Sequence, residues 1–204
     1  MDVTVSVAAL GVLSPLLVAT ALGVRASMGS PVLFAHQRPG RGGNLFTLYK
    51  FRTMRAPRSD EVYFRTDEER LTTFGRFLRT SSIDELPELW NVLRGDMSLV
   101  GPRPLLTEYL SRYTPEQHRR HEVRPGITGW AQVHGRQTIM FSKRLEHDVW
   151  YVDHWTVWLD LKILLMTVRD VFSSRGVLPG QNVDDVDDLG LTPDRPRNGA
   201  HDAS

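Results

Sequence analysis

Two adjacent acids, Asp84 and Glu85, in the stretch TSSIDELPELW (80–90) are the first candidates for chemistry. Ser82-x-x-Glu85 matches a capping box, which predicts both acids in the first turn of a helix, where the dipole favours them. Pro87 suits that register poorly, because proline is best tolerated at a helix start. With Asp84 as the cap, Pro87 falls within the first turn. From spacing, capping and catalysis are both open readings of the pair. Cations surround it in sequence. Lys50 and Arg52 share one face of a strand in LYKFRTMR (48–55), and Arg55 follows. Arg79 precedes the acidic segment, Arg103 lies between two prolines, and Arg136 follows Gly135. An arginine on rigid backbone suits an oxyanion, since its fork loses little entropy on binding. For Arg52 and Arg55, contact with anionic lipid is an equal alternative. His118 and His121 stand at i, i+3 without an adjacent third ligand, which does not make a zinc site. G-x-S-x-G, Walker and G-x-G-x-x-G motifs are absent. The available chemistry is carboxylate plus arginine, with a hard cation such as Mg²⁺ as the cofactor it could use.

Composition narrows the setting. The chain has 204 residues, no cysteine and a formal charge of +1. The missing cysteines exclude a disulfide scaffold, a thiolate zinc site and cysteine catalysis. The small net charge is a cancellation. Residues 25–58 carry seven basic groups and no acid, 59–178 are nearly balanced, and 179–204 carry six Asp against two Arg. A basic front of this kind seeks a polyanion.

The elements that must position these residues begin with 22 uncharged residues, Val3 to Val24, more than the roughly 18 that suggest a membrane helix. A signal peptide would open with positive charge, and this one opens Met-Asp; a buried soluble helix of that length is unusual. Ser14-Pro15 interrupts the segment. Split there, the pieces reach roughly 18 and 15 Å, and neither alone crosses a core of about 30 Å. A kinked span and a helix that enters and leaves on one face are both consistent with this, with the Ser14 hydroxyl able to satisfy a freed carbonyl. The basic run that follows places 25–58 on the cytoplasmic side. A loop-rich stretch (29–43), a strand (45–51) and an exposed loop or lid (58–70) come next. Helices are expected at 71–79, 82–94, 105–121 (interrupted near Pro115), 142–154 and 155–172, the last amphipathic. GPRP (101–104) continues no regular element, and RPGITG (124–129) reads as a turn cluster. The residues after Pro179 read as a disordered acidic tail.

Five blocks in this order resemble the bacterial sugar transferases, the monotopic phosphoglycosyl transferases that start glycan assembly on polyprenyl phosphate. They are SPLLVATAL, KFRTMR, LRTSSIDELPELWNVLRGDMSLVGPRPLL, RPGITGWAQVHGR and DVWYVDHWTVWLDLKIL, and the resemblance as a whole covers about residues 2–172. The resemblance implies a mainly α fold with a short β element: a re-entrant membrane helix (1–25) broken at Ser14-Pro15, then a compact cytosolic catalytic domain (26–178) with amphipathic interfacial helices. It implies that Asp84 attacks the β-phosphate of a UDP-sugar, releases UMP and holds the phosphosugar until polyprenyl phosphate takes it. Glu85, with Asp84 beside it, matches the Mg²⁺ position. Lys50, Arg79, Arg103 and Arg136 match the basic positions around the phosphates and nucleotide. The implied location is the bacterial cytoplasmic membrane, with the site on the cytoplasmic face, lipids as partners and no nucleic acid. Trp130, Trp150, Trp155 and Trp158 are candidate interface anchors. Specificity for the sugar is expected in 56–70 and 130–145. Family members usually carry a basic stretch before the aspartate that aligns with Asp2. Its absence points to an earlier start or to lipid contact through 25–58. A catalytically inert membrane scaffold on the same fold is the competing reading, and the intact acid pair argues against it. A nucleic-acid-binding membrane protein rests on the basic front alone.

Overall fold

The computed structural model describes residues 1–56, 70–135, 139–172 and 187–190. The expected lid at 58–70 therefore lies outside the described residues except for Arg70, as does Arg136. The described chain is mostly helical with a few short strands.

The apolar N-terminus forms one helix, α1 (Asp2–Met28), long and apolar enough to cross a membrane. The sequence suggested two pieces parted at Ser14-Pro15, but helical structure continues through Pro15. Proline removes the N–H that would bond the Gly11 carbonyl, and the Ser14 hydroxyl donates to that carbonyl instead, at 2.8 Å. Val3, Val7, Val12, Val18 and Leu22 stay exposed. At the C-terminal end, Val24 is buried with Phe51 and Leu78. There the Arg52 guanidinium donates to the carbonyls of Met28 and Ser30. Arg52 thus caps a helix end, where cations are favoured, rather than sharing the outlook of Lys50.

β1 (Leu33–Pro39) and β2 (Leu45–Phe51) form an antiparallel ribbon in register from Leu33↔Phe51 to Pro39↔Leu45. β2 matches the expected strand, whereas β1 lies in the stretch read as loop. Its outward residues Leu33, Ala35 and Gln37 are exposed, and it ends in Pro39, so its apolar alternation is faint. α2 (Thr73–Thr80) is capped by Thr72, whose side chain accepts from Gly75 N–H. A Cβ on Gly75 would sit 1.8 Å from the Thr53 carbonyl oxygen, so α2 and the segment after β2 meet backbone to backbone.

The capping-box expectation fails at the next turn. Ser82 adopts a left-handed φ of 57° and its side chain caps nothing. Asp84 and Glu85 belong to a separate 3₁₀ turn, Ile83–Glu85, and α3 (Glu88–Arg94) starts only after Pro87, where a missing N–H is harmless. Gly95, with φ 82°, closes α3. β3 (Ser98–Val100) pairs in parallel with β4 (Gly126–Thr128), so RPGITG supplies a strand as well as a turn. The expected 105–121 helix is instead a 3₁₀ run (Thr107–Arg112), the single turn α4 (Pro115–His118) and another 3₁₀ turn. α5 (Trp130–Val133), α6 (Phe141–Asp153) and α7 (Val157–Phe172) complete the described helices.

Leu48, Leu89, Val92, Met97, Leu99, Val100, Tyr151 and Ile163 form the main core, drawing β2, α3, β3, α6 and α7 together. α7 turns Trp158, Leu161, Leu165 and Val168 outward. Of the expected tail, residues 187–190 are described and rest on the domain. Asp188 accepts from the Ser142 N–H at 3.0 Å, and Arg112 donates to the Gly190 carbonyl at 3.0 Å.

Candidate active site

The site gathers at the 3₁₀ turn between Ser82 and Pro87. A non-glycine residue in the left-handed region costs on the order of 1 kcal/mol or more, and here that bend separates the acid pair from α2. Asp84 is 9% exposed. Burial raises its pKa to about 6, reinforced by the charge of Glu85 and opposed by Lys50, Arg103 and Arg79.

Lys50 rises from β2 to meet the acids. Its Nζ lies 2.7 Å from Glu85 Oε1 and 3.0 Å from Glu88 Oε1. Arg103, on the Gly-Pro-Arg-Pro segment after β3, donates to the same Glu85 oxygen. Burial alone would push the Glu85 carboxyl up. The charges and hydrogen bonds of Arg103 and Lys50 outweigh it and hold Glu85 well below the usual carboxylate range. Reciprocally, Glu85 raises Arg103 above its ordinary value against the opposing effect of burial. Arg79 takes a different post. Its Nε donates to Thr53 Oγ1 at 3.0 Å, and its charge reaches Asp84. The structure thus brings Lys50 and Arg103 directly onto Glu85 and sets Arg79 nearby.

Three neighbours of the acid pair and its cations escaped the sequence reading. Glu88, 2% exposed, is raised to about 7 by burial and the Glu85 charge, with Lys50 opposing. An acid opening a helix ordinarily reads as a solvated dipole partner, so only its place after Pro87 hinted at burial. Asn91, fully buried, donates to the Thr47 carbonyl at 2.7 Å and accepts from Tyr49 N–H at 3.1 Å. It ties α3 to the strand that carries Lys50. Arg120 forms a buried ion pair with Asp148 at 2.7 Å and donates to the Arg103 carbonyl, also at 2.7 Å. No sequence spacing links those three positions.

Among the described residues there is no cluster of three or more acid or imidazole groups placed to hold a metal. The hard carboxylate oxygens of the acid pair nevertheless suit Mg²⁺, which completes its shell with water and substrate phosphate and needs only one or two protein carboxylates.

A buried carboxylate beside a second one held ionised, with Lys50 and Arg103 on Glu85 and Arg79 nearby, is chemically suited to handling a phosphate group. The chain belongs to the bacterial sugar transferase family, whose model matches residues 1–174. It is 55% identical to the uncharacterized sugar transferase EpsL of Bacillus subtilis (strain 168), over 86% of this chain and 87% of that protein. It is 40% identical to a UDP-glucose:undecaprenyl-phosphate glucose-1-phosphate transferase of Xanthomonas campestris, over 85% of this chain and 38% of that protein. It is 39% identical to an undecaprenyl-phosphate galactose phosphotransferase of Salmonella typhimurium, over 86% of this chain and 40% of that protein. The chain therefore spans most of the Bacillus relative and less than half of the other two.

Proposed function

We propose that this chain is a phosphoglycosyl transferase that moves a sugar-1-phosphate from a UDP-sugar to polyprenyl phosphate and releases UMP. The observation that carries the reading is the buried Asp84 next to a Glu85 clamped by Lys50 and Arg103. In the first step an Asp84 carboxylate oxygen attacks the donor's β-phosphorus, and the bond to the α-phosphate oxygen breaks. UMP departs with that oxygen, leaving a phosphosugar on Asp84. In the second step a phosphate oxygen of the lipid attacks the same phosphorus, and the aspartyl–phosphate bond breaks to restore the carboxylate. Lys50 and Arg103 orient the diphosphate and offset its charge. Arg79, Arg103 and Lys50 favour the ionised, attacking form of Asp84. Glu85 and Asp84 would hold Mg²⁺, which supplies charge neutralisation on the diphosphate when bound. Arg136 is proposed as a further contact to the donor.

The site works at the cytoplasmic face of the bacterial cytoplasmic membrane, with α1 re-entering on one side. Both ends of α1 touch the same domain. Asp2 accepts from Ser98 Oγ at 2.8 Å and from Arg124 at 3.2 Å. At the other end of the 27-residue helix, Met28 meets Arg52. A spanning helix would separate its ends by about 30 Å of hydrocarbon. The outward apolar residues of α7 extend the lipid contact, so a soluble nucleotide sugar and a lipid phosphate reach one site.

The test is UMP release from a panel of UDP-sugars with polyprenyl phosphate and Mg²⁺, by wild type and Asp84→Asn. Turnover with at least one sugar, lost in Asp84→Asn, is expected. Absence of UMP with every sugar would overturn the reading.

A further inference from the structure

Arg38 is an arginine the site geometry leaves unanswered. It lies on β1 opposite Phe46, on the same face of the ribbon as Lys50, which pairs with Phe34. Four residues separate Arg38 from Phe34, so it stands roughly 13 Å along the ribbon from the position of Lys50. Its Nε is buried without a hydrogen-bond partner. Among the described residues, no carboxylate forms an ion pair with its guanidinium. Burial and then the like charge of Arg103 hold its pKa below the ordinary arginine value, offset only in part by Glu108, Tyr109 and Glu88. Arg120 shows how the same fold treats a structural arginine, with Asp148, Tyr113 and a carbonyl all engaged. A partly buried charge without its counter-charge costs free energy in the free protein. Such a cost is understandable where the counter-charge arrives with a ligand.

We infer that Arg38 is a substrate-binding residue which, with Arg103, receives a phosphate oxyanion. Two guanidinium groups close enough for their charges to oppose each other match a phosphate group in charge, and each offers it a fork of donors. Two sources present that group: the diphosphate of the nucleotide sugar and the terminal phosphate of the lipid. The inference rests on the functional reading above and extends it to a position the acid pair does not touch.

The experiment uses the full chain in lipid nanodiscs and compares wild type with Arg38→Met and Arg38→Lys. Arg38→Met is expected to melt at or above the wild-type temperature, because it removes a partly buried charge that has no ion-pair partner among the described residues. The KM for at least one phosphate substrate should rise tenfold or more, with Arg38→Lys in between. A rise in the UDP-sugar KM assigns the contact to the donor, and a rise in the polyprenyl phosphate KM assigns it to the lipid. Arg38→Met with both KM values within twofold of wild type would overturn the inference. So would an Arg38→Met protein that melts lower or does not fold, since that marks a structural arginine. If wild type itself releases no UMP, the functional reading fails separately. Binding of inorganic pyrophosphate to wild type and Arg38→Met then decides the matter: a tenfold loss supports the anion site, and equal affinity removes it.

Discussion

Asp84 answers two opposed demands. The proposed attack on phosphorus needs its ionised form, yet it is almost fully buried, and burial favours the neutral acid. Lys50, Arg103 and Arg79 recover part of that cost and leave the pKa at about 6. In the free protein Asp84 therefore holds its proton more tightly when folded than when unfolded. The folded state is relieved of this penalty below pH 4 and carries all of it above pH 6. Asp84→Asn should thus raise thermal stability at pH 8 by about 1–3 kcal/mol. The gain should shrink as pH falls from 6 to 4. Melting curves of both proteins across that range check this, and a gain independent of pH would contradict it. The acid pair itself was legible in the sequence, because adjacent acids followed by a helical repeat draw notice. Its surroundings were not. Glu88 reads as an ordinary helix-opening acid until the fold buries it against Lys50.

Elements decide where those side chains end up. β2 delivers Lys50, the 3₁₀ turn delivers Asp84 and Glu85, and the segment after β3 delivers Arg103. Asn91 ties α3, which follows the 3₁₀ turn, to β2 by accepting from the Tyr49 N–H and donating to the Thr47 carbonyl. Asn91→Ala should cost about 2–4 kcal/mol, since it strands a donor and an acceptor away from water. It should also lower UMP release in protein that remains folded. Unchanged stability in a denaturation series would show that water replaces the asparagine. The longer periodic helices were legible in the sequence: 142–154 and 155–172 appear as α6 and α7 within a residue or two at most boundaries. β1 was not, because its outward face is exposed and its end is Pro39. Nor was the parallel β3–β4 pair, whose three-residue strands have no repeat to read and whose partners are 28 positions apart. Ser82 misled in another way. The capping-box pattern was present, but Pro87 moved the helix start past it.

At the scale of the whole molecule, the net charge of +1 hides a division of labour. Part of the basic front is structural: Arg52 closes α1, and Lys50 enters the acid cluster. α1 places its apolar residues outward while both of its ends are held by the charged domain. The re-entrant course proposed for α1 draws on that arrangement. The absence of native cysteine makes the topology accessible to experiment. A single cysteine introduced at Val3 should be shielded from impermeant reagent in intact cells and labelled in inverted vesicles. Labelling from outside intact cells would establish a true span.

In the proposed mechanism Asp84 carries the phosphosugar between donor and lipid. Intact-protein mass measured after incubation with a UDP-sugar and Mg²⁺, with no polyprenyl phosphate, tests it most directly. Wild type should gain the mass of one sugar phosphate, which should be absent in Asp84→Asn and discharged when the lipid phosphate is added. An enzyme that turns over yet never gains that mass, or an Asp84→Asn protein that gains it, would contradict the account.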